Sequence, residues 1–186
     1  DFSQLMNVIV QVGNALGYAH SAGVVHRDIK PDNILIGPYG EVLLLDWGLA
    51  KVWHREGAPA STESDFPDLN IGVAMTSAGK LQGSVMYMSP EQIDREPDID
   101  SRSDIYSLGA VMYEALTGRT PFTGQVVRKI LGDVRDKVPD VPSHFGNLEV
   151  PEVLSELTMS CLSKNPNDRP GSAEEVIRVI QHNWAS

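Results

Sequence analysis

Residues 26–33 read His26-Arg27-Asp28-Ile29-Lys30-Pro31-Asp32-Asn33. The octet sets a carboxylate, an ammonium and an amide side by side in one short polar loop. Upstream, over residues 3–21, Leu5, Ile9, Val12, Leu16 and Ala19 recur at spacings of four and three. That spacing predicts one helix face, ending near Gly23. Val24-Val25 is a short β-like piece. Downstream, Ile34-Leu35-Ile36 and Val42-Leu43-Leu44-Leu45 flank Gly37-Pro38-Tyr39-Gly40, a turn signal that predicts a hairpin. The polar octet is therefore a loop held between a helix and a hairpin.

Further along, residues 51–91 carry little periodicity. Within them 58–70 is rich in Pro, Ser, Asp and Glu, and this composition predicts a mobile loop. A loop of that length inside a compact domain is usually functional or disordered. Beyond residue 100 the pattern is helical. Ile105, Leu108, Val111, Met112, Ala115 and Leu116 mark an apolar helix closed by Gly118 and followed by Pro121. Shorter helices are expected at 125–136, 152–162 and 172–182, the last capped by Ser172 with Glu175 three residues on. The coarse expectation is one small hairpin amid many helices.

Bulk composition narrows the function classes. The 186 residues carry 25 acidic and 15 basic side chains, a net charge of −10. That balance argues against binding a nucleic acid or an anionic membrane, since phosphate backbones are held by Lys and Arg. Wholly apolar runs are short, such as residues 42–45, against the roughly 20 residues of a membrane helix. No membrane segment within this chain is expected. The single cysteine, Cys161, has no internal partner, so a reducing, cytoplasmic compartment is the natural reading, and its apolar surroundings make it a packing residue. His20, His54, His144 and His182 lack metal-ligand spacing and read as surface or packing residues. Trp53 and Trp184 read as packing residues too.

The octet resembles the catalytic loop of protein kinases. In phosphoryl transfer a protein chiefly positions groups and neutralises charge. Asp28 is then the candidate to orient the attacking hydroxyl and accept its proton, Lys30 to meet the transferring phosphoryl, and Asn33 to hold a metal ion. Asp46-Trp47-Gly48 resembles the family's metal-binding Asp-Phe-Gly motif, with Trp for Phe. The resemblance implies that Asp46 holds Mg²⁺ against the phosphates of ATP, that Gly48 lets the backbone turn sharply, and that Trp47 is an enlarged aromatic plug beneath the site. Gly83-Ser84-Val85-Met86-Tyr87-Met88-Ser89-Pro90-Glu91 is similar to the segment that closes the kinase activation loop, with Ser84 for Thr and Ser89 for Ala. The similarity implies that Ser84 bonds Asp28 and Lys30 and helps receive the substrate, and that Glu91 pairs with Arg169. Ser103-Asp104-Ile105-Tyr106-Ser107-Leu108-Gly109 matches the start of the large central helix, where Asp104 bonds the backbone of the catalytic loop. His26 becomes a buried support.

Four motifs in the family's order cover most of the chain, which implies an α+β, mainly α fold. The resemblance implies the C-terminal lobe of a Hanks-type serine/threonine protein kinase, its N-terminal lobe absent: a helical bundle with a small β-hairpin carrying the catalytic and metal-binding loops. The expected divisions are a catalytic loop at 26–33, an activation segment at 46–91 and a helical subdomain at 100–184. The phrases Lys30-Pro31-Asp32-Asn33 and Ser89-Pro90-Glu91-Gln92 resemble bacterial members, and Lys30 points to Ser/Thr rather than Tyr acceptors. The implied reaction moves the γ-phosphate of ATP to a protein Ser or Thr, with Mg²⁺. A pseudokinase scaffold that binds protein partners is the alternative; a small-molecule kinase fits poorly, since such enzymes generally lack a segment like 84–91. The Gly-rich loop, strand Lys and partner Glu of the family's N-terminal lobe have no counterpart in these residues, so this chain alone is expected to bind ATP poorly and to transfer no phosphate. Arg27 implies control by activation-loop phosphorylation. Thr76 and Ser77 are the first candidate acceptors, although Lys80, where many relatives carry a hydroxyl, would repel Arg27.

Overall fold

The computed structural model describes residues 2–52 and 83–184. Helix α1 (Phe2–Ser21) buries Met6, Ile9, Val12, Gly13, Leu16 and Ala19, among others, the face that the four-three spacing predicts. It packs on the last helix, α6 (Ala173–Trp184). The approach is close: a Cβ on Gly13 would lie 2.9 Å from Cγ1 of Ile177.

The centre of the fold is α3 (Ser101–Thr117). Its N-terminus is closed by the Asp100 carboxylate, which accepts from the Arg102 N–H at 2.8 Å, and its C-terminus by Gly118 at φ 74°. In the left-handed region a Cβ costs roughly 1–2 kcal/mol, so glycine ends the helix there. Ile105, Leu108, Met112 and Leu116 face a core shared with α1, α5 (Glu152–Cys161) and α6, while Tyr106, Ala110 and Tyr113 face a second core. The second core is completed by α2 (Pro90–Ile93), by Phe122 and by α4 (Val127–Asp136) through Ile130 and Val134. A helix apolar on both sides is what a two-core arrangement requires.

Among the described residues three two-stranded antiparallel sheets stand where one hairpin was expected. The expected one is β2 (Ile34–Ile36) with β3 (Val42–Leu44), in the register Ile34↔Leu44. The others are β1 (Val24–Val25) with β4 (Lys51–Val52), and β5 (His144–Phe145) with β6 (Leu148–Glu149). Two-residue strands are too short to leave any alternation in the sequence. The Ser172 cap forms, its hydroxyl accepting from the Glu175 N–H at 3.3 Å, while the Glu175 carboxylate takes the Gly171 N–H at 2.8 Å, one residue upstream of a capping box. Among the described residues no helix is long and apolar enough to cross a membrane. Trp53, His54, residues 58–70, Thr76, Ser77 and Lys80 lie outside the described residues.

Candidate active site

The polar octet is fastened from beneath by α3. Asp104, in the first turn of that helix, is fully buried. Its Oδ2 accepts the His26 N–H at 2.8 Å and its Oδ1 the Arg27 N–H at 2.9 Å. The carbonyl of Arg27 accepts from Gln92 Nε2 at 2.8 Å. Clamped on both sides of its peptide, Arg27 holds φ 71°, a left-handed conformation that an L-residue keeps only when its surroundings over-determine it. The reversal redirects the chain immediately before Asp28.

There the side chains converge. Lys30 Nζ donates to Asp28 Oδ2 at 2.7 Å and to Ser84 Oγ at 3.0 Å. Asn33 Nδ2 donates to the Asp28 carbonyl at 2.7 Å and to its Oδ2 at 3.1 Å. The Asp28 and Lys30 side chains are only 12% and 17% exposed, so little water screens the pair. Pro31 opens the 3₁₀ turn of Pro31–Asn33, where its missing N–H leaves nothing unsatisfied, and the turn folds Asn33 back toward Asp28. Ser84 was expected to bond both Asp28 and Lys30; among the described residues it reaches Asp28 only through the ammonium between them.

The β2–β3 register brings in Asp46. Leu45 N donates to the Asn33 carbonyl at 2.8 Å, so Leu45 stands opposite Asn33 and Asp46 is the next residue along the chain. The sharp turn expected at Gly48 falls instead on Asp46, at φ 59°, whose Oδ1 accepts from the Gly48 N–H at 3.3 Å. Asp tolerates this region because its short side chain bonds its own backbone neighbour. His26 is buried. Its Nδ1 accepts from the Asp28 N–H at 3.2 Å, which leaves Nε2 to donate to the Leu45 carbonyl at 3.0 Å. One ring thus ties the Asp28 loop to the strand end before Asp46. Trp47, expected as an aromatic plug beneath the site, packs against His26. Its indole N–H finds the Leu44 carbonyl at 3.1 Å, its ring stands edge-on to His26 at 4.5 Å, and it stays 37% exposed.

Glu91 and Arg169 pair as expected. Arg169 Nη1 and Nη2 meet Glu91 Oε1 and Oε2 at 2.6 and 2.8 Å. The remaining guanidinium protons go to the carbonyls of Ser163, Arg102 and Lys164 at 2.7, 2.9 and 3.0 Å. Every donor of the fork is used, which is what lets a buried charge pair persist. Burial would raise the Glu91 carboxyl, but the hydrogen bonds and charge of Arg169, helped by Ser103, hold it below its ordinary value. Ser89 forms a capping box with Gln92 and bonds Ser103 Oγ at 3.1 Å. Tyr87 donates to Glu114 Oε2 at 2.6 Å; burial, then Glu114, raises its hydroxyl.

Three contributors escaped the sequence reading. Gln92, Ser103 and His20, whose Nε2 lies 2.8 Å from Asp104 Oδ2, reach partners far off in the chain, and no local spacing announces them. Cys161 is fully buried and its thiol is pushed up to about 12 by desolvation, in keeping with a packing residue.

The chain matches the protein kinase domain model over residues 2–185. It is 40% identical over 180 residues to the serine/threonine-protein kinase PknD of Protochlamydia amoebophila, covering 96% of this chain and 18% of that protein. It is 41% identical over 167 residues to PknL of Mycobacterium tuberculosis, covering 89% of this chain and 37% of that one. PknD of Chlamydia trachomatis is 36% identical over 169 residues, covering 88% and 18%. The chain thus spans between 18% and 37% of the length of these relatives. It belongs to the protein kinase domain family, in the company of bacterial serine/threonine-protein kinases.

Proposed function

We propose that the protein carrying this chain transfers the γ-phosphate of ATP to Ser or Thr hydroxyls of protein substrates. The observation that carries this reading is the Lys30 ammonium shared between the Asp28 carboxylate at 2.7 Å and the Ser84 hydroxyl at 3.0 Å. Asp28 takes the proton of the acceptor hydroxyl. Lys30 turns to the transferring phosphoryl as nucleotide binds, which releases an Asp28 oxygen for that hydroxyl. Ser84 and Asn33 keep the two charged groups in place.

Asn33 and Asp46 suit Mg²⁺. The Asn33 amide nitrogen is committed to Asp28, which leaves its oxygen for a cation, and Asp46 adds carboxylate oxygen; hard oxygen donors are what this ion takes. When bound, the ion would neutralise phosphate charge; the chain's own part is to hold those two oxygens on adjacent strand ends.

The divisions 26–33, 46–91 and 100–184 remain our assignment of catalytic loop, activation segment and helical subdomain. Since residues 1–186 hold no Gly-rich phosphate loop, the grip on ATP is assigned to residues outside them. Phosphate on Thr76 or Ser77 would find its partner in Arg27; mass-spectrometric mapping of the active protein checks this, and an active protein unmodified between 53 and 82 refutes it. The reaction itself is tested by incubating the full-length protein with γ-labelled ATP and a mixed Ser, Thr and Tyr peptide set. Label on Ser and Thr alone is expected; label on Tyr, or none, would overturn the reading.

A further inference from the structure

Lys164 follows α5 in the loop that leads to α6, and its backbone is fixed there: its carbonyl accepts from Arg169 Nη2 at 3.0 Å. The side chain crosses to α4, where Nζ donates to the Val134 carbonyl at 2.6 Å in the last turn. Nζ also stands 4.5 Å from the ring centre of Phe122 and 5.9 Å from that of Tyr106, two aromatic side chains of the second core. Lys129 and Lys137 both pair with Asp133, whereas among the described residues Lys164 makes no ion pair. Beside it lies a cleft of about 360 Å³. Val138 and Pro139 just beyond α4, Met159 and Leu162 at the end of α5, and Lys164 and Asp168 line it, among others. The amine is thus half-withdrawn from water beside a largely apolar space. Burial first, and then the charge of Arg169, outweigh Asp136 on α4 and bring its ammonium down to about 8. Roughly a quarter of the amine is then free near pH 7.5, against about a thousandth for an ordinary lysine.

We propose that Lys164 is a site of Nε-acylation by small activated acyl groups, an acyl phosphate or an acyl thioester, with the acyl tail lodged in the adjoining cleft. The free amine attacks the carbonyl carbon. The C–N bond forms as the bond to the phosphate oxygen or the sulfur breaks, and the electron pair leaves with phosphate or thiolate. The surplus amine proton passes to water. The product amide keeps one N–H for the Val134 carbonyl but carries no charge. The rings of Phe122 and Tyr106 then lose their cation, and the carbonyl end of α4 loses the positive charge that suits it. Acylation thereby loosens the last turn of α4. None of these steps involves the residues around Asp28.

The test treats the folded full-length protein at pH 7.5 with acetyl phosphate in one arm and with the acetyl thioester of N-acetylcysteamine in the other. Peptide mass spectrometry follows each lysine. Lys129 and Lys137, with side chains 59% and 60% exposed, serve as internal standards. Expected in at least one arm is acetylation of Lys164 on the order of tenfold faster than either, the gain in free amine reduced by partial burial. Its rate should level off above about pH 8, while those of the standards still climb at pH 9. The faster arm names the donor class. Met159→Trp, which narrows the cleft, should slow Lys164 several-fold and leave the standards alone. In the acetylated molecules the amides of residues 134–137 should exchange roughly threefold faster or more, the scale of a charge lost at a helix end. Acetylation of Lys164 no faster than the standards in both arms, or a rate still rising with theirs at pH 9, would overturn the assignment. An unaltered rate in Met159→Trp would overturn the part given to the cleft, and unaltered exchange the loosening of α4.

Discussion

Asp28 takes three hydrogen bonds from two donors, Lys30 and Asn33, on its side chain and carbonyl, and the two on the side chain converge on Oδ2. Replacing it with Asn keeps the shape and removes the base. Asp28→Asn should lower kcat by about 10²–10⁴, the usual contribution of a positioned base, with little change in KM; steady-state kinetics on the full-length protein check this. At Cys161 the prediction is silence. With its thiol near pKa 12 and no exposure, the native protein should resist alkylation at pH 8 and react once denatured; mass spectrometry of the alkylated chain decides. The candidate residues of the octet were legible because their chemistry is contiguous, and Asp46 because it directly follows Leu45, which the hairpin sets opposite Asn33. His20 and Gln92 were not, since their partners stand 84 and 65 residues away, and only folding makes them neighbours.

α2 and the loop before α6 are joined by the Glu91–Arg169 pair, and stability should reveal it. Arg169→Met leaves the Glu91 charge buried and unpaired, and should cost about 3–5 kcal/mol in denaturant unfolding. The sign with pH follows from Glu91 being held below its ordinary value by Arg169 despite burial. A carboxyl lowered on folding adds stability that is complete above its unfolded value and is lost as pH falls through the folded one. Wild type should therefore lose stability toward acid more steeply than the Arg169→Met variant; parallel curves would contradict this. Between α3 and α5 the contact at Gly109 is tight, since a Cβ there would lie 2.5 Å from Cβ of Cys161. Gly109→Ala should cost about 1–3 kcal/mol through overpacking, read as a lower thermal midpoint. The helices were legible from periodicity and caps. β5 and β6 carried a hairpin signal in Gly146-Asn147, with Gly146 at φ 59°, but strands of two residues offered nothing on either side to support it.

Across the described residues, α3 divides two cores and carries the carboxylate that holds residues 26–33, so the candidate site is set on a helix buried on both sides. Its rigidity comes from below, through Asp104, and from the side, through Ser84 and Lys30. Residues 1–186 carry no Gly-rich pattern, and under the proposal above the 186-residue chain by itself should transfer no phosphate; turnover by that chain would refute the assignment of the ATP grip to other residues. The account turns on Asp28, Lys30, Asn33 and Asp46 acting together, and the direct test is γ-phosphate transfer by the full-length protein with Mg-ATP beside an Asp46→Ala variant. The prediction is label on Ser and Thr in the wild type and none in the folded variant; equal label in both, or none from a folded wild type, would contradict it.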